Sequence, residues 1–299
     1  MSGFWLFLVC LMGLCWGSFL SVLVMRTLKE ESILYPQSHC TSCNKPLLWW
    51  HKIPIISFLI LKGKCYFCNA PISIQYIIFE ITGLVIWLFS FNKYVSIYDA
   101  LAVVIILSMF LSISYSDIKY KKISTYQTII IAFAGLLFNR FDLMNSILGG
   151  IVGAGLVYLF IYLGLKLLKK ETFGEGDIYL LGAFGAVVGF NKLFLFLIYA
   201  LFAELFFVLP KYISNLIKTG NEKTLKYLIY FSLACLFLYV FRNMSFWGSN
   251  LIFIGCLIYI LYLACQIVQD LFYAIKTQEN QSYCPIAPAL ALACLFFLM

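Results

Sequence analysis

Charge is what this sequence has least of. Only 11% of its 299 residues are Asp, Glu, Lys or Arg, and just 13 are acidic. A soluble domain of that length needs far more polar residues to cover its surface, so a water-soluble globular protein is excluded. The first apolar run, Phe4 to Val24, carries no charge and lacks both the lysine-bearing start and the small-residue cleavage site of a removable signal. It reads as a retained anchor. What fills the chain instead is apolar: 63% of residues are hydrophobic, and runs long enough to cross a hydrocarbon core recur throughout.

The formal charge of +8 gains meaning once the spans are placed. With the N-terminus outside, spans near 4–24, 76–92, 97–116, 124–138, 146–165, 178–190, 193–209, 227–241, 250–268 and 286 onward leave only Lys93, Arg140, Lys192 and Arg242 outside. All the other basic residues of the 21 then face the cytosol, as the positive-inside rule requires. The basic excess is therefore a matter of orientation, and no nucleic-acid partner is implied. The expected class is an all-α polytopic membrane protein of about 8–10 transmembrane helices with a small cytosolic zinc-binding loop. Its expected parts are the first transmembrane helix at 1–25, the cytosolic loop at 26–75, a membrane catalytic core at 76–210 and a C-terminal transmembrane extension at 211–299. The split at Asn191-Lys192 strains this scheme, because 178–190 is short for a span.

The loop holds Cys40-Thr-Ser-Cys43 and Cys65-Tyr-Phe-Cys68, with 21 residues between the pairs. Each Cys-x-x-Cys turn aims two sulfurs at one centre, and two such turns complete a tetrahedral site for structural zinc. Asn44 and Asn69 suit the tight knuckle turns, since Asn tolerates the left-handed conformation. A reducing cytosol argues against disulfides. His39 and His51 are expected beside the site and not as ligands, because four cysteines already close it.

Two aspartates stand at span ends. Asp117 follows Ser112-Ile-Ser-Tyr-Ser116, and Asp177 ends Phe173-Gly-Glu-Gly-Asp177. The topology puts both at one membrane face. A carboxylate pair at such an edge shares a proton, so that one member takes a proton from water while the other polarises a carbonyl. Gly174 and Gly176 are expected to turn the backbone sharply and let a substrate strand approach. The alternative is a solvated helix cap, a role open to Asp177.

In this order the motifs resemble the type IV prepilin peptidases, which are also leader peptidases and N-methyltransferases. Gly17-Ser-Phe-Leu-Ser-Val22 with Arg26 resembles the family's opening segment, where Ser21 stands in place of Asn. Residues 38–49 resemble its first cysteine knuckle, and Ile53-Pro54, Ser57 to Gly63, Pro71-Ile-Ser73, Tyr76 and Glu80 continue the register. Asp117 falls at the family's first catalytic aspartate, and Gly174-Glu-Gly-Asp177 resembles its glycine-any-glycine-aspartate motif. The closing Pro-Phe-Gly-Pro-type segment has its nearest counterpart in Pro285-Ile-Ala-Pro288, and 211–283 is longer than usual by about two spans. The resemblance implies a bacterial cytoplasmic-membrane aspartyl endopeptidase that cleaves the basic leaders of prepilins or pseudopilins. It also implies S-adenosylmethionine as methyl donor for the new N-terminus, with Glu80 and the cysteine loop associated with methyl transfer.

Two other readings stay open. A presenilin-like protease would cut other membrane stubs, but that group is not known for a cysteine loop. A zinc-containing transporter or assembly protein would use the aspartates as ion carriers, and should then show midplane charges and repeated span pairs.

Overall fold

The structure is a computed structural model, and it describes residues 3–28, 37–168, 174–200 and 287–298, with a few isolated positions between them. The chain divides into two units, residues 1–203 with 285–299, and residues 204–284. The second unit holds only Glu204, Tyr230 and Tyr262 of the described residues. The spans expected near 227–241 and 250–268 therefore lie outside the described residues.

The first unit is helical, and among the described residues its β-structure amounts to two isolated bridges. Helices α1 (Gly3–Leu28), α3 (Gln75–Lys93), α4 (Ile97–Tyr120) and α6 (Leu143–Leu168) are long and apolar enough to cross a bilayer. This is a multi-pass membrane protein. Shorter apolar helices are α5 (Thr125–Phe138), α7 (Glu175–Val188), α8 (Phe190–Ala200) and α9 (Ala287–Leu298). The loop between α1 and α3 carries a 3-10 turn at Trp49–Lys52 and the single-turn helix α2 at Ile56–Ile60.

Where a bundle has no water to expel, helices associate through close van der Waals contact, and small residues supply it. Antiparallel α1 and α3 cross at glycines on both sides. A Cβ on Gly83 would lie 2.6 Å from the Gly17 Cα, and one on Gly13 would lie 2.9 Å from the Leu84 Cα. The α6–α7 hairpin repeats the device where Gly149 and Gly185 bring backbone against backbone. Helix α4 sits in the middle of the packing, with Val103, Ile106, Phe110 and Ile113 almost fully buried. At one end of the bundle Arg140 is ion-paired with Asp99.

The break expected at Asn191-Lys192 falls at Gly189. This residue takes φ 80°, which side-chain-bearing residues rarely adopt, and it ends α7. Phe196 of α8 then stacks back on Phe184 with ring centroids 5.5 Å apart.

Replacing Gly185 with Ala should destabilise the fold by about 2 kcal/mol, because its neighbour is backbone that cannot swing aside. Gly155→Ala, which meets open space, should be neutral. Thermal unfolding of both variants in lipid nanodiscs checks the contrast.

Candidate active site

The site is built at the end of the bundle where α4 stops and α7 starts. Phe110 of α4 and Phe184 of α7 stack at 4.2 Å, in planes only 9° apart. Asp117 lies two turns beyond Phe110, on the same face of α4. Asp177 lies two turns before Phe184, on the same face of α7. The two helices run antiparallel, so both steps of roughly 10 Å lead from the ring stack towards the same end. Both aspartates therefore stand towards the same end of the bundle, 60 residues apart in sequence.

The two carboxylates have different surroundings. Asp117 has no exposed surface, and its Oδ2 accepts the backbone N–H of Ala287, the first residue of α9, at 3.0 Å. Asp177 is half-buried in the first turn of α7, where its Oδ2 accepts the Gly174 N–H at 3.0 Å. Asp177 therefore does cap its helix. The sharp backbone turn expected at the glycines is not needed here. Gly174 is ordinary extended chain at φ −79°, ψ 157°, and Gly176 serves close packing, since a Cβ there would meet the Ile123 Cβ at 3.1 Å.

Below Asp117 lies a polar cluster that sequence reasoning missed. Gln127 of α5 donates from Nε2 to the Ser112 Oγ at 2.7 Å, and Ser116 donates to the Ser112 carbonyl at 3.0 Å. Gln127, Ser112 and Ser116 are all buried, and the Gln127 Oε1 has no hydrogen-bond partner. The available signal was an amide inside the apolar run 125–138, which is costly in a span unless it faces other polar groups.

The cysteine loop stands at this same end, because the Tyr115 hydroxyl of α4 donates to the Gln75 Oε1 at the start of α3 at 3.0 Å. Its two knuckles are copies of one another, 25 residues apart. Cys40 N–H donates to the Lys45 carbonyl, and Cys65 N–H to that of Ala70. Asn44 N–H closes onto the Cys40 carbonyl, and Asn69 N–H onto that of Cys65. Bridges His39–Pro46 and Lys64–Pro71 complete the match. Asn44 at φ 55° and Asn69 at φ 57° take the left-handed turn expected of them.

The sulfurs of Cys40, Cys43, Cys65 and Cys68 lie within 4.8 Å of one another, and the Cys40 and Cys68 Sγ atoms are 3.8 Å apart. Four thiolates held at the zinc–sulfur bond length would stand roughly 3.8 Å apart, so the donor set fits that ion. The N–H groups of Cys43 and Ser42 hold the Cys40 thiol down at about 6. At Cys68 the Ala70 N–H acts in the same direction, yet desolvation and hydrogen bonds with the other three sulfurs outweigh it and push the thiol up to about 11. Sulfurs this crowded ionise together only around a cation. Both histidines lie outside the cluster, and His51 is buried against Trp50, Tyr66 and Phe67, where burial lowers its pKa.

Glu80 ties the loop to the membrane bundle. It is buried in α3, where Gly17 of α1 approaches its backbone, and its Oε2 accepts the Ile55 N–H at 2.7 Å. Ile55 itself sits at φ 59°, ψ −49°, an unfavourable conformation for a β-branched residue. Such strain persists only where the surroundings impose it, and the Glu80 carboxylate supplies one such hold.

Known proteins place this architecture. Residues 11–94 match the family described as bacterial Peptidase A24 N-terminal domain, and residues 104–209 match the type IV leader peptidase family. The prepilin leader peptidase/N-methyltransferase of Klebsiella pneumoniae is 33% identical over 194 residues, covering 61% of this chain and 85% of that protein. Its counterpart in Neisseria gonorrhoeae is 28% identical over 219 residues, covering 62% of this chain and 75% of that protein. The Myxococcus xanthus protein of the same name is 29% identical over 194 residues, and the match spans 63% of this chain but only 58% of that relative. No solved structure matches the chain. The protein is a membrane peptidase by class, and it belongs to the type IV leader peptidase family.

Glu80→Ala leaves the Ile55 N–H without its acceptor, at a cost of about 1–3 kcal/mol. Amide exchange across 53–60 should accelerate at least tenfold while exchange in α4 stays unchanged, whereas Glu80→Gln should keep most of the protection.

Proposed function

We propose that this chain is an aspartyl endopeptidase that removes basic leader peptides from prepilins or pseudopilins at the cytosolic face of the bacterial cytoplasmic membrane. Asp117 and Asp177 form the catalytic pair. The observation that carries the reading is the placement of both carboxylates two turns from the Phe110–Phe184 stack, towards one end of the bundle. The names of the relatives supply the substrate class. With Lys119, Lys121 and Lys122 beside that end, the positive-inside rule puts it in the cytosol and the N-terminus outside.

The chemistry follows from one shared proton. The ionised aspartate takes a proton from water as its oxygen attacks the scissile carbonyl, and the protonated partner donates to the carbonyl oxygen. The tetrahedral gem-diol collapses when the leaving nitrogen receives the proton taken from water and one hydroxyl returns its proton to the partner aspartate, which restores the pair to its starting state. Gly174 and Gly176 keep the approach to Asp177 free of side chains. Cys40, Cys43, Cys65 and Cys68 hold a structural zinc that folds the loop. S-adenosylmethionine supplies the methyl group for the new N-terminus in the bifunctional form of the reaction. Glu80 serves that second activity by holding the loop against the bundle. The presenilin-like and transporter readings are disfavoured by the cysteine loop and by the placement of both aspartates at one end.

Asp117→Asn and Asp177→Asn should each lower cleavage of a prepilin-like substrate by at least ~10³-fold in membranes at equal abundance. Wild-type rates in either variant overturn the pair. Purified protein should carry one zinc per chain by elemental analysis. Cys43→Ser should lose that zinc and open the loop to proteolysis, while cleavage changes far less than in the aspartate variants.

A further inference from the structure

The catalytic pair draws its supporting donor from the far end of the chain. Ala287 lies 170 residues from Asp117, yet its N–H reaches the Asp117 Oδ2 at 3.0 Å in a fully buried contact. Ala287 is itself 2% exposed, so water does not compete for that N–H. At the other end of α9 the Leu298 carbonyl accepts the Tyr94 hydroxyl at 2.9 Å, just before α4 begins. Helix α9 is thus pinned at both ends along α4, antiparallel to it, and Ala287, Leu290, Ala293 and Cys294 turn a buried face into the bundle.

The first residues of any helix carry N–H groups with no partner in their own helix. The next residue, Pro288, has no N–H to offer, and it is the Ala287 N–H that reaches the carboxylate. The positive end of the helix dipole points the same way. A backbone donor holds its direction better than a side chain, which has rotamers to lose.

We infer that the Ala287 N–H, held by α9, is a positioning group that fixes the Asp117 carboxylate for proton transfer. It touches Asp117 and acts through it. This inference rests on the aspartyl reading above, and it makes the C-terminal helix part of the peptidase site. Residues 287–298 lie beyond the segment that matches the leader peptidase family, so the family match does not assign them.

Ala287→Pro tests it in the full-length protein. Proline is accommodated at the first position of a helix and replaces the amide hydrogen with its ring Cδ, while Ala287→Gly keeps the N–H. With a prepilin-like peptide carrying a basic leader as probe, Ala287→Gly should stay within about twofold of wild type. Ala287→Pro should lower kcat roughly 10- to 100-fold with KM little changed, in the range of losing one preorganised donor. Equal kcat in the two variants overturns the inference.

A second measurement does not depend on activity or on folding of the proline variant. Pro285 and Pro288 flank the site, so exchange of the Ala287 amide is readily isolated in a peptide spanning them. Asp117→Leu removes the acceptor and should accelerate that exchange at least tenfold, whereas Asp117→Asn retains an acceptor oxygen and should not. Unchanged exchange in Asp117→Leu overturns the bond itself. Full cleavage by Asp117→Asn instead overturns the aspartyl reading while leaving the bond intact.

Discussion

A carboxylate without exposed surface, at the end of a membrane helix, must find its hydrogen-bond donors inside the protein or forfeit several kcal/mol. Asp117 is in that position, and the architecture around it answers the requirement. Helix α9 comes back across 170 residues of sequence to offer a backbone N–H. Helix α5 turns its buried polar residues, Gln127 and Thr128, towards the same end. The Phe110–Phe184 stack packs α4 against α7, the helix that carries Asp177 in its first turn. The surrounding helices can pack this closely because Gly17, Gly83, Gly149 and Gly185 remove the side chains that would hold them apart.

The cysteine loop obeys a different economy. It is too small to stabilise itself through an apolar core, and its two matched knuckles converge on four sulfurs that call for a cation. Its connection to the bundle runs through Glu80, whose carboxylate sits beside the α1–α3 glycine crossing and holds the strained Ile55. The loop and the aspartate pair share one end of the bundle through the Tyr115–Gln75 bond.

Local chemistry was the legible part of the sequence. The Cys-x-x-Cys spacing and the left-handed Asn44 and Asn69 follow from short stretches of residues, and the structure holds both; of the ten expected spans, the described residues include four helices long and apolar enough to cross a membrane. What stayed hidden depends on partners distant in sequence. Nothing around Glu80 announces that Ile55 is its donor, and nothing around Ala287 points to Asp117. The segment Pro285-Ile-Ala-Pro288 stood out only by resemblance, without a partner. The α7 break was misplaced by two residues because Asn191-Lys192 looked like the polar turn, whereas the backbone turns where Gly189 can take φ 80°. Gly174 and Gly176 were read for conformational freedom, but Gly174 is ordinary extended chain and at Gly176 the lack of a side chain matters more than the dihedral angles.

The meeting of two aspartates, 60 residues apart, at one end of the bundle is the proposal on which the function rests. It is tested most directly by replacing both with cysteine and bridging them in the membrane with a two-carbon bis-thiosulfonate, which spans only a few ångströms. Peptide mapping by mass spectrometry should recover a linked pair from positions 117 and 177, with Asp117→Cys alone giving no such product. Failure to link the pair, in protein whose fold and abundance match wild type, would contradict the account.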